Sequence, residues 1–296
     1  MEPIRILAVV GPTAVGKSAY AVELAKRLKG EILSCDSMQV YRGMDIGTAK
    51  PTAEERGDIP HHLIDIAEPD QPFSGADYVE KATLSVQEIT ARGNLPIFCG
   101  GTGLYLDRFL FGGVAAPTVE DAGIREELLE FAKVNGNEAL HRRLKEIDPA
   151  SAAAIHPNNV RRVARALEIY LSTGTPKSVW EKKTKEESSP YAAEVIGLTM
   201  ERTILNQRID ERVENMIRAG LIEETERLEA RGVFEKNTTA AQAIGYKEIL
   251  PYLHGECSKA DAIGNLKTAT HRYAKRQMTW FCAKDYVKFI EVTPKA

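Results

Sequence analysis

Residues 11–18 read Gly-Pro-Thr-Ala-Val-Gly-Lys-Ser and fit the phosphate-binding pattern G-x-x-x-x-G-K-S/T. The apolar run Arg5–Val10 before them is typical of a buried strand, and Lys17–Leu28 after them has the spacing of a helix. A loop between a strand and a helix is the context that this pattern requires, so a di- or triphosphate group should bind here. The predicted phosphate contacts come from the whole loop: Gly11, Pro12, Thr13, Ala14, Val15, Gly16, Lys17 and Ser18.

The chemistry of such a P-loop comes mostly from its backbone. Its N–H groups and the positive end of the following helix dipole attract phosphate oxygens. Lys17 adds a point charge, and the hydroxyl of Ser18 is placed to hold Mg²⁺, which we expect as a cofactor.

Strands and helices alternate along most of the chain. Further strands are predicted at Glu31–Ser34, Pro96–Cys99, Glu194–Met200 and Tyr286–Val292, with a Gly- and Pro-rich loop at Gly43–Pro60. Ser74, followed by Asp77, is a typical start of a helix. This order predicts an α/β fold with a P-loop NTPase-like parallel sheet that is covered by helices and binds its ligand at the carboxyl ends of the strands.

Between residues 115 and 193 the sequence shows helical patterns and no convincing strand. We therefore predict a small all-helical insertion domain at 115–193 that interrupts a catalytic core formed by 1–114 and 194–296. One helix of the insertion should span Asn159–Thr173 and end at Gly174. Its predicted apolar face consists of Val160, Val163, Ala164, Leu167, Tyr170 and Leu171.

Composition sets the class of protein. With 43% hydrophobic and 27% charged residues, the chain resembles ordinary globular proteins. The apolar run before the P-loop is too short to span a membrane and has no cleavage site, so we expect a cytoplasmic protein with no membrane segment. Four scattered cysteines argue against a zinc site or a disulfide framework and should be reduced and mostly buried: Cys35, Cys99, Cys257 and Cys282.

The net charge of −3 conceals two basic segments. Residues 141–185 carry a net charge of +6, residues 267–288 carry +5, and the rest of the chain carries −14. Such segments suggest a face that binds a polyanion, although charged helices exposed to solvent give the same pattern.

Asp36 is the acidic residue best placed beside the P-loop. Nucleotide triphosphatases usually add an apolar strand that ends in an acidic Mg²⁺ ligand, but Pro96–Cys99 is followed by Gly100, Gly101 and Thr102. Asp36 instead follows the strand Glu31–Ser34. From its position it is either a functional carboxylate or a residue that forms the turn.

Six segments in a fixed order extend these motifs. They are Gly11–Ser18, Asp36–Pro51 (DSMQVYRGMDIGTAKP), His61–Asp65 (HHLID), Gly100–Tyr105 (GGTGLY), His156–Glu168 (HPNNVRRVARALE) and Ala274–Phe281 (AKRQMTWF). Together they resemble the bacterial tRNA dimethylallyltransferases of the tRNA isopentenyltransferase family. The resemblance runs from about Ile6 to Cys282.

The resemblance implies transfer of a dimethylallyl group from dimethylallyl diphosphate to the exocyclic N6 amine of the adenosine at tRNA position 37, just 3′ of the anticodon. The P-loop would then stabilise a diphosphate leaving group, so an acidic strand end is not required. By the same resemblance Asp36 is the general base, Thr102 lies near the reacting atoms, and Lys17 and Arg212 act on the diphosphate.

The resemblance also implies the residues that contact the tRNA anticodon stem-loop. Asp36, Ser37, Met38, Gln39 and Thr102 would hold the extruded adenine. Further expected contacts are Arg125, Arg161, Arg162, Val163, Ala164, Arg165, Gln242, Gly245, Tyr246, Lys247, Arg272, Lys275, Arg276, Gln277 and Trp280. For Trp280 and Phe281 we favour a place in the core, and we expect the protein to be a monomer.

Three other functions fit parts of the sequence. An isopentenyltransferase acting on free adenine nucleotides shares the chemistry, but a mononucleotide needs no extended basic surface. An ATP-dependent small-molecule kinase would also use a P-loop. A non-catalytic RNA-binding switch would bind tRNA without turnover.

Overall fold

A computed structural model describes residues 3–112, 122–186, 189–235 and 239–293. The strands are β1 (Ile4–Val10), β2 (Gly30–Ser34), β3 (His61–His62), β4 (Leu95–Gly100), β5 (Tyr191–Thr199) and β6 (Val287–Glu291). The α-helices are α1 (Lys17–Leu28), α2 (Ala53–Arg56), α3 (Gly75–Ala91), α4 (Gly103–Phe111), α5 (Ala122–Asn135), α6 (Asn137–Ile147), α7 (Pro149–Ala154), α8 (Val160–Thr173), α9 (Lys177–Glu186), α10 (Arg202–Arg218), α11 (Leu221–Ala230), α12 (Tyr246–Leu253) and α13 (Lys259–Cys282).

The described strands form one parallel sheet in the order β3-β2-β4-β1-β5-β6. The central strand β1 pairs with β4 and β5, and its residues Ile6–Val10 are all buried. A continuous buried run is typical of a parallel strand that is covered on both faces. The predicted α/β fold with a parallel sheet is confirmed.

Helix α1 packs on this sheet through its two small buried residues, Ala21 and Ala25. They belong to a core cluster that includes Val9, Ile97 and Ile209. Burying apolar area of this kind is worth about 25 cal/mol per Å². The packing fixes the start of α1, and therefore the P-loop, against the end of β1.

The predicted start of α3 at Ser74 is confirmed. Ser74 Oγ accepts hydrogen bonds from the N–H groups of Ala76 and Asp77, and Asp77 Oδ2 accepts one from Ser74 N at 2.7 Å. A second capping box, which was not predicted from the sequence, lies inside the predicted loop Gly43–Pro60. There Thr52 and Glu55 cap the short helix α2.

The chain divides into two compact units. The first consists of Met1–Phe109 and Pro190–Ala296 and contains the sheet. The second consists of Leu110–Ser189. It contains helices α5 to α9 and the last two residues of α4. A separate apolar cluster, which includes Leu128, Leu140 and Leu144, forms the core of the second unit.

Helix α8 buries three residues of the predicted face, Val163, Ala164 and Leu167, but its buried face differs from the predicted one at other positions. Leu171 is 48% exposed and Tyr170 is half-buried, whereas Ala166 and Ile169 are buried. Helix α8 packs against α5, α6 and α9, so its buried face is wider than the stripe of a helix with one neighbour. Its predicted end at Gly174, in the left-handed conformation with φ 68°, is confirmed.

The four cysteines carry free thiols, but they are not mostly buried as predicted. Cys35 is buried, Cys99 and Cys257 are half-buried, and Cys282 is exposed. Within the described ranges, no helix has the length and apolar character needed to cross a membrane.

Candidate active site

The P-loop connects β1 to α1 through a series of unusual backbone angles. Gly11 has φ 139° and Gly16 has φ 100°, and a Cβ on Gly11 would lie 2.5 Å from the carbonyl oxygen of Leu198. Ala14 has φ 66°, which costs a non-glycine residue about 1–2 kcal/mol. The N-cap of α1 is Gly16, which has no side chain to occupy the N–H groups of the first turn. These groups are therefore available to an anion.

Two helices from the carboxyl-terminal part of the chain hold this strained loop. Gln277 of α13 accepts a hydrogen bond from Thr13 N at 2.8 Å and donates one to Gly101 O at 3.1 Å. Arg208 of α10 donates to Ala14 O at 2.9 Å. Its side chain was not among the predicted site residues.

Lys17 is the cation of the loop. Its ammonium group donates to Pro12 O at 2.8 Å. Burial is the main cause that lowers the pKa of Lys17, to about 8; Arg212 acts in the same direction and Asp36 in the opposite one. At neutral pH Lys17 remains mostly protonated and can attract a phosphate oxygen.

Asp36 forms a turn at the carboxyl end of β2. Its Oδ1 accepts from Met38 N at 2.9 Å and from Gln39 N at 3.4 Å. The turn uses this one oxygen, so it does not require the other. Asp36 also lines the cavity described below, and the two interpretations of this residue are therefore compatible.

Thr102 connects the end of β4 to the Asp36 turn. Its Oγ1 accepts from Ser37 N at 3.0 Å, and its N–H donates to Cys35 O at 3.1 Å. A Cβ on Gly100 would lie 2.0 Å from Cys35 O, so only glycine allows the two strand ends to approach this closely.

A cavity of about 1190 Å³ lies at the carboxyl ends of β1, β2 and β4. It brings together Lys17, Ser18, Asp36 and Arg212, four of the predicted site residues. Burial lowers the pKa of the Arg212 guanidinium, whereas Asp36 raises it. Other predicted residues along the cavity are Thr13, Ala14, Gly16, Ser37, Met38, Gln39, Gln242, Lys247, Arg276 and Gln277.

Tyr273 is a cavity residue that sequence reasoning did not assign. It shares a hydrogen bond with Thr102, and burial is the main cause that raises its pKa, with Asp36 acting in the same direction. The guanidinium of Arg276 lies 5.6 Å from the centre of its ring. Tyr273 is adjacent in the sequence to the predicted contact Arg272, but the sequence alone does not distinguish a cavity residue from a surface one.

The structure places the remaining predicted tRNA contacts in two groups. Arg161, Arg162, Arg272, Lys275 and Arg276 are exposed, as are Gln242 and Lys247. Val163, Ala164 and Tyr246 are 0% exposed, so their side chains present no surface to a bound RNA, and a tRNA contact at these three positions stays a prediction. The side chains of all three pack in the core, and the Tyr246 hydroxyl donates a hydrogen bond to Glu224 Oε1 at 2.7 Å. Gly245 and Gln277 are also buried.

Arg125 and Arg165 share one buried partner in the second unit. Arg125 donates to both oxygens of Glu168 at 2.9–3.0 Å, and Arg165 lies 3.0 Å from the same carboxylate. Glu168 is 1% exposed, and this pairing explains a carboxylate on the buried face of α8. Arg125 remains 49% exposed.

Trp280 and Phe281 follow the interpretation that we favoured. Phe281 is buried, and Trp280 is half-buried. A Cβ on Gly103 would lie 2.3 Å from the Trp280 ring, so the indole packs directly on the start of α4.

The donor set for a metal is sparse. Among the residues that the structure describes, no group of three or more His, Cys, Asp or Glu could hold a metal ion. Cys99 shares a hydrogen bond with Ser18, and burial raises the pKa of this thiol to about 11. A neutral thiol is a poor ligand for Mg²⁺, which prefers oxygen. Mg²⁺ would fit here only with Ser18 and the oxygens of a bound diphosphate.

Fold and cavity together define a P-loop α/β protein with a cavity at the carboxyl ends of its strands. The family model described as IPP transferase matches residues 39–284. The chain belongs to this family, which confirms the resemblance found in the sequence.

One relative and two solved structures illustrate the similarity. The chain is 50% identical over 293 residues to a tRNA dimethylallyltransferase of Halalkalibacterium halodurans, covering 98% of this chain and 91% of the relative. It is similar to the crystal structure of a tRNA isopentenylpyrophosphate transferase from Bacillus halodurans, with a TM-score of 0.72 and 49% identity. The match covers 97% of this chain and 89% of the chain in that structure. The structure of a eukaryotic dimethylallyltransferase acting on tRNA gives a TM-score of 0.81 at 29% identity. That match covers 97% of this chain and 74% of the eukaryotic one.

Proposed function

We propose that this protein transfers the dimethylallyl group of dimethylallyl diphosphate to the N6 amine of the adenosine at tRNA position 37. One observation carries the proposal: a P-loop and the carboxylate of Asp36 line the same cavity. The names of the relatives support its coarser part, since they name tRNA together with a dimethylallyl or an isopentenylpyrophosphate group.

The leaving group would lie in the P-loop. As the bond between the allylic carbon and oxygen breaks, the diphosphate gains negative charge. Lys17, the free N–H groups of α1 and Arg212 stabilise that charge more strongly in the transition state than in the ground state. A bound Mg²⁺, held by Ser18 and diphosphate oxygens, would supply further positive charge.

Asp36 would act on the acceptor, the N6 amine of the adenosine. The N6 nitrogen forms a bond to the first allylic carbon while the diphosphate departs with the bonding electrons. The nitrogen then carries an excess proton, which Asp36 accepts. General-base catalysis of this kind contributes typically about 10²–10⁴-fold.

The exposed cations would bind the anticodon stem-loop. Arg161 and Arg162 on α8 and Arg272, Lys275 and Arg276 on α13 are exposed and lie in the two basic segments. Contacts to phosphates supply affinity without sequence information. Helices of Leu110–Ser189 are thus proposed as one tRNA-binding surface, and a cytoplasmic monomer remains our prediction.

The direct test is to incubate the protein with dimethylallyl diphosphate, Mg²⁺ and unmodified tRNA, and to analyse the nucleosides by mass. We expect dimethylallyladenosine at one position of the tRNA. Parallel reactions offer free AMP as acceptor, or ATP as a phosphate donor. Prenylation of AMP in preference to tRNA, or formation of ADP without prenyl transfer, would overturn the proposal.

A further inference from the structure

The loop of residues 45–51 forms one wall of the cavity, and a buried carboxylate holds it from behind. Glu224, in the first turn of α11, accepts hydrogen bonds from three consecutive backbone N–H groups. These are Asp45 N at 3.2 Å, Ile46 N at 3.0 Å and Gly47 N at 3.0 Å. The carboxylate is 2% exposed and does not line the cavity.

Tyr246 completes this arrangement. Its hydroxyl donates to Glu224 Oε1 at 2.7 Å, and its ring occupies the space beside Gly47. A Cβ on Gly47 would lie 2.4 Å from that ring, so the loop, the phenol and the carboxylate fit together only with glycine at this position. A buried charge is tolerated here because four donors surround it.

Gln39 connects the loop of residues 45–51 to the Asp36 turn, where the adenine is proposed to bind. The Gln39 amide donates to Thr48 O at 3.3 Å and to Ala49 O at 3.2 Å, and its oxygen accepts from Ser34 Oγ at 2.9 Å. Its backbone N–H belongs to the Asp36 turn. The position of Gln39, and with it that turn, therefore depends on where the loop lies.

We propose that Glu224 is a positioning residue for the acceptor: it fixes the loop of residues 45–51, which holds Gln39 and, through it, the Asp36 turn. The inference rests on the proposed function. Glu224 does not line the cavity, and the P-loop is held separately by Gln277 and Arg208. Loss of Glu224 should therefore affect the acceptor and leave the donor unchanged.

The test compares Glu224→Gln and Tyr246→Phe with a matched control, Glu31→Gln. Glu31 is also a buried carboxylate, 3% exposed, with hydrogen bonds to Arg92, Asn94 and His62. It lies at the start of β2, at the opposite end of that strand from Ser34. The control therefore reports the cost of removing a buried charge away from the site.

For Glu224→Gln we expect single-turnover prenyl transfer to fall by about tenfold to a hundredfold at saturating tRNA. The Kd for inorganic diphosphate should equal that of the parent. Tyr246→Phe keeps the three N–H contacts to Glu224, so its transfer rate should fall by less than that of Glu224→Gln. Glu31→Gln should unfold at a lower temperature with the parent's transfer rate.

Equal transfer rates in Glu224→Gln and Glu31→Gln would overturn the inference, as would a parallel loss of diphosphate binding. If the parent transfers no prenyl group to tRNA while binding diphosphate, the proposed function itself fails. That result is distinct from a parent that is active and insensitive to Glu224.

Discussion

Lys17 should give donor binding a pH dependence with a midpoint near pH 8. With a pKa of about 8 in the protein, roughly nine-tenths of the molecules carry the charge at pH 7 and about a tenth at pH 9. A contact between unit charges at 4 Å is worth about 4 kcal/mol at an effective dielectric constant of about 20, so the neutral form binds about 10²–10³-fold more weakly. Affinity is therefore present below pH 8 and falls by nearly tenfold for each pH unit above it.

Titration calorimetry with dimethylallyl diphosphate, in the absence of tRNA, between pH 7 and pH 9.5 and at constant ionic strength, measures this directly. The terminal phosphate of this ester loses its second proton at about pH 6, so the ligand contributes little to the change above pH 8. Binding at pH 9 should also take up about one proton, seen by changing the buffer. Lys17→Arg keeps its charge throughout this range and should give a flat profile. A flat profile for the parent, or the same slope in both proteins, would refute the assignment.

Three further changes test other parts of the site. Asp36→Asn should lower the rate of single-turnover transfer by about 10²–10⁴ with a much smaller effect on tRNA affinity, and a rate equal to that of the parent would leave Asp36 with only its turn. Reversal of Arg161 and Arg162 to Glu should weaken tRNA binding and flatten its salt dependence; a loss of diphosphate binding as well would point to misfolding. Gly100→Ala places a Cβ 2.0 Å from Cys35 O and should reduce stability by about 1–3 kcal/mol, so an unchanged melting temperature would contradict the close strand approach.

The parts of the fold that the sequence predicted are those set by neighbouring residues. The P-loop, the strand ending at Val10 and the capping box at Ser74 each depend on a few consecutive positions. The face of α8 could not be predicted as well, because three helices pack around it and the pattern of one helix does not show its neighbours. Glu168 was left out of the predicted apolar face for the same reason, since its burial depends on two arginines that pair with it.

The site shows the same division. The P-loop that ends in Lys17 and the turn that contains Asp36 each follow a strand, so their proximity could be predicted from the parallel sheet. Gln277, Arg208 and Glu224 hold the site through hydrogen bonds to residues 264, 194 and 177–179 positions away. No local pattern distinguishes such an anchor from an ordinary polar residue on a helix. The resemblance to a family placed Tyr246 and Gln277 near the tRNA, but only coordinates show what their polar atoms bind.

The anchoring of Thr13 by Gln277 also concerns the order in which the protein is made. The P-loop leaves the ribosome near the beginning of synthesis, but the side chain that fixes its backbone follows 264 residues later. The strand β5, which pairs with β1 on the side opposite β4, is also made late, because it begins only at Tyr191. During translation the phosphate-binding sequence therefore exists for most of the synthesis time without its final conformation. Because Gln277 lies on α13, we expect full affinity for the donor only after α13 has been completed, when the rest of the catalytic unit is present.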